Sequence, residues 1–279
     1  MQLHTAAVCL NKSRTQNPSA YQALLRSLDK SGVKNYLLDY QSTPSDIRRG
    51  TDIIICLGGD GTLLRAARLA AGTELKVIGI NGGSLGFLAA ADAQEDFDNF
   101  IKGIIEDKFI SQTRMLLNVT ITRGGEKVFE NIALNECVIK TCQARATSLG
   151  AAYDGQEMRE FFGDGLIIAT PTGSTAYNMA AGGPIAYPYL DAFILTPICP
   201  HTLAQRPLVL PADKPLTIKI LPKKRTVSLI ACLDGQTNFV PQGDDIFTVT
   251  KSKKTVQILY PKDYDFFLTL TSKLKWGSR

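Results

Sequence analysis

The chain has 279 residues, of which 44% are hydrophobic and 20% are charged, and its formal net charge is +5. This composition supports a packed core and excludes an intrinsically disordered chain. The modest charge, without a long basic run, argues against a nucleic acid partner and is compatible with a small anionic ligand.

Strands and helices alternate in the first half of the chain. Apolar residues at helical spacing predict helices over 15–31 and 63–71, and a further helical face begins at Phe97. Continuous apolar runs at 52–57 and 75–80 are typical of strands that are buried on both faces of a sheet. This alternation predicts a parallel sheet with helices on both faces.

Short apolar stretches separated by Gly, Pro and Asp replace this pattern near residue 108. They predict strands over 115–122, 131–140, 165–170, 216–221, 227–233 and 245–250. The densest basic cluster, 223–225, is expected in a solvated turn, and the stretch 266–277 has a weak helical pattern. The sequence thus predicts an α/β domain over 1–107, a β-rich domain over 108–250, and a tail over 251–279 that packs back on the first domain.

The chain carries no targeting or membrane signal. The N-terminal stretch MQLHTAAVCLNKS has too short an apolar run for a signal peptide, and no segment approaches the length of a transmembrane helix. The six cysteines form no C-x-x-C pair, and only two histidines are present, so a zinc site is poorly supported. We expect a cytoplasmic protein without a membrane partner.

A glycine-rich loop, GGDGT at 58–62, follows the predicted strand over 52–57 and leads into a helix. Ligands of open α/β sheets bind beyond the carboxyl ends of the strands, and glycines let backbone N–H groups approach a phosphate. The loop therefore predicts a phosphate site, although it lacks the lysine of commoner phosphate loops and centres on Asp60. This carboxylate could act beside a Mg²⁺ ion, take a proton from an attacking hydroxyl, or belong to an Asp-Gly turn that caps the helix.

Two further clusters are polar where the surrounding chain is apolar. The stretch 170–177 combines small hydroxyl side chains with the ring of Tyr177, which suits a polar ligand that carries a nucleobase. The alternative is an ordinary turn with Tyr177 in the core. Asn135 and Glu136 lie within a predicted strand, where adjacent side chains face opposite sides, so one would be buried unless a bulge intervenes. A ligand contact and a structural hydrogen bond both explain this pair.

The ordered set of these motifs resembles the NAD kinase family. The motifs are GGDGT at 58–62, NGGSLGFLA at 81–89, LNE at 134–136, GDG at 163–165, TPTGSTAY at 170–177, AGGP at 181–184 and DGQ at 234–236. Related lipid kinases and phosphofructokinases carry a GGDGT-like loop, but the ordered set is specific. The resemblance leaves the roles of Asp234 and Gln236 open.

The resemblance implies phosphoryl transfer to the 2′-hydroxyl of the adenosine ribose of NAD, which gives NADP. It implies that Asp60 is the general base and that the donor phosphates are held by Gly58, Gly59, Gly61 and Thr62. The NAD-binding residues that it implies are Asp60, Gly61, Phe87, Asn135, Glu136, Asp164, Thr175, Ala176 and Tyr177. Among these, Asp164 belongs to a site that is shared between subunits.

The same resemblance implies the partners. They are NAD, a phosphoryl donor that is ATP or polyphosphate, and a divalent cation, Mg²⁺, for which no protein ligands are assigned. A homodimer or homotetramer is expected.

Two other functions stay open from the sequence. A lipid or sphingoid kinase shares the loop, although TPTGSTAY and LNE argue against it. A catalytically silent NADP(H)-binding sensor would have no need of a base at Asp60. A Rossmann oxidoreductase is disfavoured because the chain lacks the G-x-G-x-x-G fingerprint.

Overall fold

The computed structural model describes residues 2–10, 18–81, 86–92, 96–221 and 227–277. Part of the NGGSLGFLA motif, residues 82–85, and the basic cluster 223–225 therefore lie outside the described residues. The internal contacts divide the chain into two units: unit 1 is Met1–Thr113 with Val256–Arg279, and unit 2 is Arg114–Thr255.

The elements of secondary structure follow in chain order. The strands are β1 Thr5–Leu10, β2 Lys34–Leu38, β3 Ile53–Gly58, β4 Lys76–Asn81, β5 Ala91–Asp92, β6 Phe109–Arg123, β7 Glu126–Ala133, β8 Glu136–Thr141, β9 Thr147–Tyr153, β10 Gln156–Glu157, β11 Phe161–Gly163, β12 Gly165–Ala169, β13 Ala192–Ile198, β14 Leu208–Pro211, β15 Leu216–Ile220, β16 Leu229–Leu233, β17 Thr237–Phe239 and β18 Ile246–Pro261. The α-helices are α1 Pro18–Lys30, α2 Asp60–Ala70, α3 Phe97–Ile105, α4 Tyr177–Ala180 and α5 Phe266–Leu274, with 3-10 turns at Pro44–Asp46 and Thr172–Thr175. None of the described helices combines the length and apolar character needed to cross a membrane.

Unit 1 is built on a parallel sheet. Its strands run in the order β4-β3-β1-β2, and both β5 and the end of β18 pair with β4. Val8, Ile55 and Ile78 share one core cluster with α1 and α3. Neighbouring residues of a strand point to opposite faces of the sheet. Gly79 follows Ile78 and is approached by Leu63 of α2, so α2 packs on the face opposite to α1 and α3. The helix α5, in the tail, belongs to this unit.

Unit 2 consists of antiparallel β-structure. One sheet has six strands in the order β14-β13-β12-β8-β16-β17. The strands β10, β9, β15 and β18 are hydrogen-bonded in sequence, and β6 pairs with β7 and β18. A single hydrophobic cluster takes side chains from both sets, among them Val119, Ile139, Phe193 and Phe247, so the core lies between two layers of strands.

The predicted fold class is confirmed: an α/β unit with a parallel sheet, a β-rich unit, and a tail that packs back on the first. Several element bounds differ from the prediction. The helix predicted over 63–71 begins at Asp60, and the strand predicted over 131–140 is interrupted at Leu134 and Asn135. The domain boundaries at 107 and 250 stay predictions, and the division by contacts falls inside β6 and β18.

Candidate functional site

The glycine-rich loop of unit 1 joins the buried strand β3 to helix α2. Gly58 has φ +153, and a Cβ atom there would lie 2.6 Å from the Thr62 hydroxyl oxygen. Gly59 is the extended N-cap residue and brings no side chain. Both positions therefore leave the N-terminus of α2 uncovered, where backbone N–H groups and the helix dipole favour phosphate oxygens.

Asp60, the first residue of α2, is half-buried and turns its side chain away from its own helix. Its two carboxylate oxygens accept the backbone N–H groups of Phe87 at 2.9 Å and Leu88 at 3.2 Å. A Cβ atom at Gly86 would lie 2.3 Å from Asp60 Oδ1, so a larger residue there would displace the Asp60 carboxylate. These bonds hold the Asp60 carboxylate in one orientation. The alternative of a helix cap is wrong, because the N-cap residue is Gly59 and no side chain caps the helix.

The contact between these two loops follows from the sheet. Gly58 and Asn81 are register partners on the parallel strands β3 and β4, so the loops that follow them leave the same edge. The structure in this way brings Asp60 together with Phe87, as the resemblance implied. Lys273 of α5 lies over Phe87, with Nζ 5.6 Å from the ring centroid. Sequence reasoning missed this cation because it lies far along the chain, in the tail.

In unit 2, the LNE motif is held by Asp234. The Asp234 carboxylate, buried in the turn between β16 and β17, accepts the backbone N–H groups of Leu134 at 2.9 Å, Asn135 at 2.8 Å and Glu136 at 3.2 Å. These bonds replace the strand pairing that the apolar pattern predicted over 131–140, which is why the strand is interrupted. Asp234, whose role the sequence left open, is therefore the residue that shapes this motif.

The stretch 170–177 is packed directly against the same motif. The Thr170 hydroxyl donates to the Leu134 carbonyl oxygen at 2.5 Å, and the Thr170 N–H donates to the Asn135 carbonyl oxygen at 2.8 Å. A Cβ atom at Gly173 would lie 2.2 Å from the Asn135 carbonyl oxygen. The structure thus brings Asn135 and Glu136 together with the half-buried Thr175 and Ala176 and with Tyr177.

We expect Gly173→Ala to disturb both motifs, because the new methyl group meets backbone atoms that cannot rotate away. Overpacking of this kind costs about 1–3 kcal/mol, which lowers the melting temperature by several degrees in a chain of this size. Thermal melting and NAD titration measure the change. Gly243→Ala is the matched control, since a Cβ atom there meets nothing within 4 Å. Wild-type behaviour of Gly173→Ala in both measurements would rule out the close approach.

The ring of Tyr177 is exposed to solvent. Its exposed fraction is 36%, and Lys140 Nζ lies 5.7 Å from the ring centroid. The alternative that Tyr177 is a core residue is therefore wrong. An exposed ring beside a cation is available for stacking on a planar group.

A network that the sequence analysis missed anchors this stretch to β13. The fully buried Asn178 donates to the carbonyl oxygens of Ser174 and Pro184, each at 3.0 Å, and accepts the Thr196 hydroxyl at 2.6 Å. A Cβ atom at Gly183 would lie 2.1 Å from Asn178 Oδ1. The sequence signal for this network was the polar residue Asn178 in the segment AYNMAAGGP. Its partners could not be identified from the sequence, because they lie up to 18 residues away.

Buried oxygen atoms collect around the LNE motif. Within the described part of the chain, Asn135 Oδ1, Glu136 Oε2 and Thr172 Oγ1 are buried without a hydrogen-bond partner. Unsatisfied buried polar atoms are costly and rare in folded proteins, so this group is suited to a ligand with several hydrogen-bonding atoms. Burial, followed by the nearby Asp234 charge, raises the pKa of Glu136 to about 8, and the Tyr177 N–H opposes this rise.

This shift makes the stability of the protein depend on pH. Glu136 has a pKa near 4.5 when unperturbed and about 8 in the folded chain, so the folded state binds more protons between these values. The contribution of Glu136 to the free energy of unfolding should therefore be largest below about pH 4.5 and fall as the pH rises towards about 8. Urea unfolding from pH 5 to 9 measures this slope. It should flatten in Glu136→Gln but persist in the exposed control Glu126→Gln, and equal slopes in all three proteins would contradict the assignment.

Within unit 2, the structure places Asp164 apart from Glu136 and from the stretch 170–177. Asp164 precedes the five-residue strand β12 and Thr170 follows it, and the six steps between them span roughly 20 Å of extended chain. The glycines on either side of Asp164 are packed against neighbouring backbone. A Cβ atom at Gly163 would lie 2.7 Å from the Ile198 carbonyl oxygen, and a Cβ atom at Gly165 would lie 2.3 Å from the Ile139 carbonyl oxygen. Asp164 is therefore fixed at the opposite end of β12, half-exposed.

No group of three or more His, Cys, Asp or Glu side chains that could hold a metal ion occurs among the described residues. All six cysteines are free thiols.

Comparison with known proteins agrees with the motifs. The family profile of the ATP-NAD kinase N-terminal domain matches residues 8–109, and that of the ATP-NAD kinase C-terminal domain matches residues 134–260. The chain is 38% identical to a NAD kinase of Geotalea daltonii over 88% of this chain and 86% of that relative. It is 41% identical to a NAD kinase of Campylobacter jejuni over 84% of this chain and 79% of that relative.

Solved structures show the same fold. A NAD kinase from Archaeoglobus fulgidus in complex with ATP is 26% identical and matches with a TM-score of 0.76, over 97% of this chain and 98% of that one. Yeast NADH kinase complexed with NADH is 23% identical and matches with a TM-score of 0.85, over 99% of this chain and 89% of that one. With both domain profiles and relatives of this identity across most of its length, the chain belongs to the NAD kinase family.

Proposed function

We propose that this chain transfers the terminal phosphoryl group of ATP, or of another phosphate donor, to the 2′-hydroxyl of the adenosine ribose of NAD. The observation that carries the proposal is the Asp60 carboxylate, fixed by Phe87 and Leu88 at the start of α2 beside the glycine loop. The relatives are named NAD kinases, and the Archaeoglobus fulgidus relative was solved with ATP, which supports ATP as a donor.

In the proposed reaction, Asp60 accepts the proton of the 2′-hydroxyl while that oxygen forms its bond to the terminal phosphorus and the bond to the leaving phosphate breaks. The loop Gly58–Thr62 holds the donor phosphates, and a bound Mg²⁺ would neutralise part of their charge. Phosphoryl transfer depends mostly on positioning and electrostatic stabilisation, to which a placed base adds a typical ~10²–10⁴-fold. The fixed orientation of the Asp60 carboxylate suits this role.

Unit 2 supplies the proposed contacts to the adenosine. Asn135 and Glu136 offer buried polar atoms, Thr175 and Ala176 leave backbone groups accessible, and Tyr177 offers the face of its ring. Asp164 would then contact NAD bound to another subunit of a homodimer or homotetramer. Its position at the far end of β12 supports such a shared site. Free thiols are in keeping with the proposed cytoplasmic location.

One assay tests the function against its alternatives. NADP formation is measured with ATP, other nucleoside triphosphates and polyphosphate as donors, and a sphingoid base replaces NAD as the acceptor in a parallel series. We expect NADP with at least one donor and no phosphorylated lipid. Phosphorylation of the sphingoid base alone would indicate a lipid kinase, and tight NADP binding without turnover would indicate a sensor.

A separate prediction concerns Tyr177. Stacking of a base on an aromatic ring is typically worth ~1–3 kcal/mol, so Tyr177→Ala should weaken NAD binding by about 10- to 100-fold, whereas Tyr177→Phe should keep most of the affinity. Calorimetric titration measures both. Tyr189→Ala is the matched control, because Tyr189 is 52% exposed and also has a cation over its ring, Arg114 at 5.0 Å. Equal NAD affinity in Tyr177→Ala and the control would exclude stacking.

A further inference from the structure

The Asp234 side chain is held as an anion by its contacts. Its two oxygens accept three consecutive backbone N–H groups, those of residues 134–136, at 2.8–3.2 Å. Hydrogen bonds donated to a carboxyl group favour its charged form. Asp234 and Gly235 both have positive φ, +52 and +66, so the tight turn between β16 and β17 presents the carboxylate to the motif. The negative charge is therefore built into the turn.

Glu136 places a second carboxyl group beside this charge. Its side chain is buried, one oxygen accepts the Tyr177 N–H, and Oε2 has no partner within the described part of the chain. Its own backbone N–H lies 3.2 Å from Asp234 Oδ1. Two adjacent buried carboxyl groups rarely ionise together, and the one without strong donors keeps the proton.

Two thiols and one lysine lie near this pair. Cys137 on β8 and Cys232 on β16 are thiols whose pKa values are raised, above all by burial, so they stay neutral. The register partner of Glu136 on β12 is Ala169. Lys140 lies over the ring of Tyr177, with Nζ 5.7 Å from the ring centroid, and its charge lowers the pKa of Cys232 against the larger effect of burial.

We propose that Glu136 binds the adenosine moiety of NAD as the neutral acid, donating a hydrogen bond from Oε2 to an acceptor atom of the ligand, and that Asp234 is the positioning residue that keeps it neutral. This inference rests on the proposed function, since it takes NAD as the ligand. The protein would then recognise an acceptor, such as a ring nitrogen or a ribose oxygen, at a position where a carboxylate would recognise only a donor.

Calorimetric titration of NAD from pH 6 to 9.5 tests the proposal. NAD affinity of the wild type should be constant below pH 8 and then fall by up to tenfold per pH unit, with proton uptake on binding at high pH. Glu136→Gln, whose amide donates but does not titrate, should give a flat profile. Asp234→Asn removes the neighbouring charge and should move the fall to lower pH by about one unit or more. The exposed control Glu126→Gln should follow the wild type.

Opposite results overturn the proposal. If Glu136 binds as the carboxylate, the affinity of the wild type rises with pH up to about 8 and binding releases a proton. Should Asp234→Asn fail to fold, the wild type and Glu136→Gln still decide the direction of the slope. A wild type that binds no NAD at any pH would overturn the proposed function as well, whereas NAD binding with the reverse slope overturns this inference alone.

Discussion

Asp60→Asn is expected to lower kcat for NADP formation by about 10²–10⁴, because the amide keeps the shape of the side chain but cannot take the proton of the 2′-hydroxyl. The same change disturbs the loop contact. An amide has one acceptor oxygen, so only one of the N–H groups of Phe87 and Leu88 can be satisfied. We therefore also expect a loss of stability of about 1–3 kcal/mol, which thermal melting would report separately from kcat.

A control separates the two effects of this substitution. Asp52 lies at the opposite end of β3, and its carboxylate accepts the N–H groups of His4 at 2.7 Å and Thr5 at 2.9 Å. Asp52→Asn changes a comparable carboxylate in the same unit without touching the loop, so its kcat should stay near that of the wild type. Near-normal turnover of Asp60→Asn would remove Asp60 from the chemistry.

Removal of divalent cations is expected to abolish NADP formation, and Mg²⁺ or Mn²⁺ should restore it. The segment from Gly58 to Leu64 contains no lysine or arginine, so the protein offers little positive charge to the donor phosphates there. The nearby Arg65 is bound elsewhere, since its guanidinium donates to the carbonyl oxygens of Asp39 and Ser42. Initial rates in chelator and after return of the metal measure the effect.

Chelation should act on the reaction and not on the fold. The ion is expected to bind together with the donor phosphates, so the melting temperature of the free protein should not change in chelator. Full activity in metal-free buffer would contradict the prediction. Lys273, whose Nζ lies 5.6 Å from the Phe87 ring centroid, would then be the first cation to substitute.

The sequence predicted unit 1 well because its elements depend on local pattern. A run of five buried residues, Ile53–Leu57, matches the predicted strand over 52–57. The start of α2 was placed too late, since the apolar pattern begins only at Leu63. The helix reaches back to Asp60 because Gly59 adopts an extended N-cap conformation.

Unit 2 was harder to predict where distant residues decide the backbone. The interruption at Leu134 and Asn135 depends on Asp234, which lies about 100 residues further along the chain. No window of sequence contains both partners, so the apolar pattern predicted one continuous strand. The motifs identified the residues, but the clamp by Asp234, the close approach of Gly173 and the anchoring by Asn178 needed the three-dimensional structure.

The division of the chain has a consequence for the order of folding. Unit 2 is continuous, whereas unit 1 needs residues from both sides of it. On the ribosome, β4 is synthesised long before β18, whose Gln257 and Ile258 pair with Lys76 and Val77. Until then this part of β4 is an unpaired edge, and such edges invite association with other nascent chains. The sheet that carries the glycine-rich loop is thus completed only after unit 2 has been synthesised.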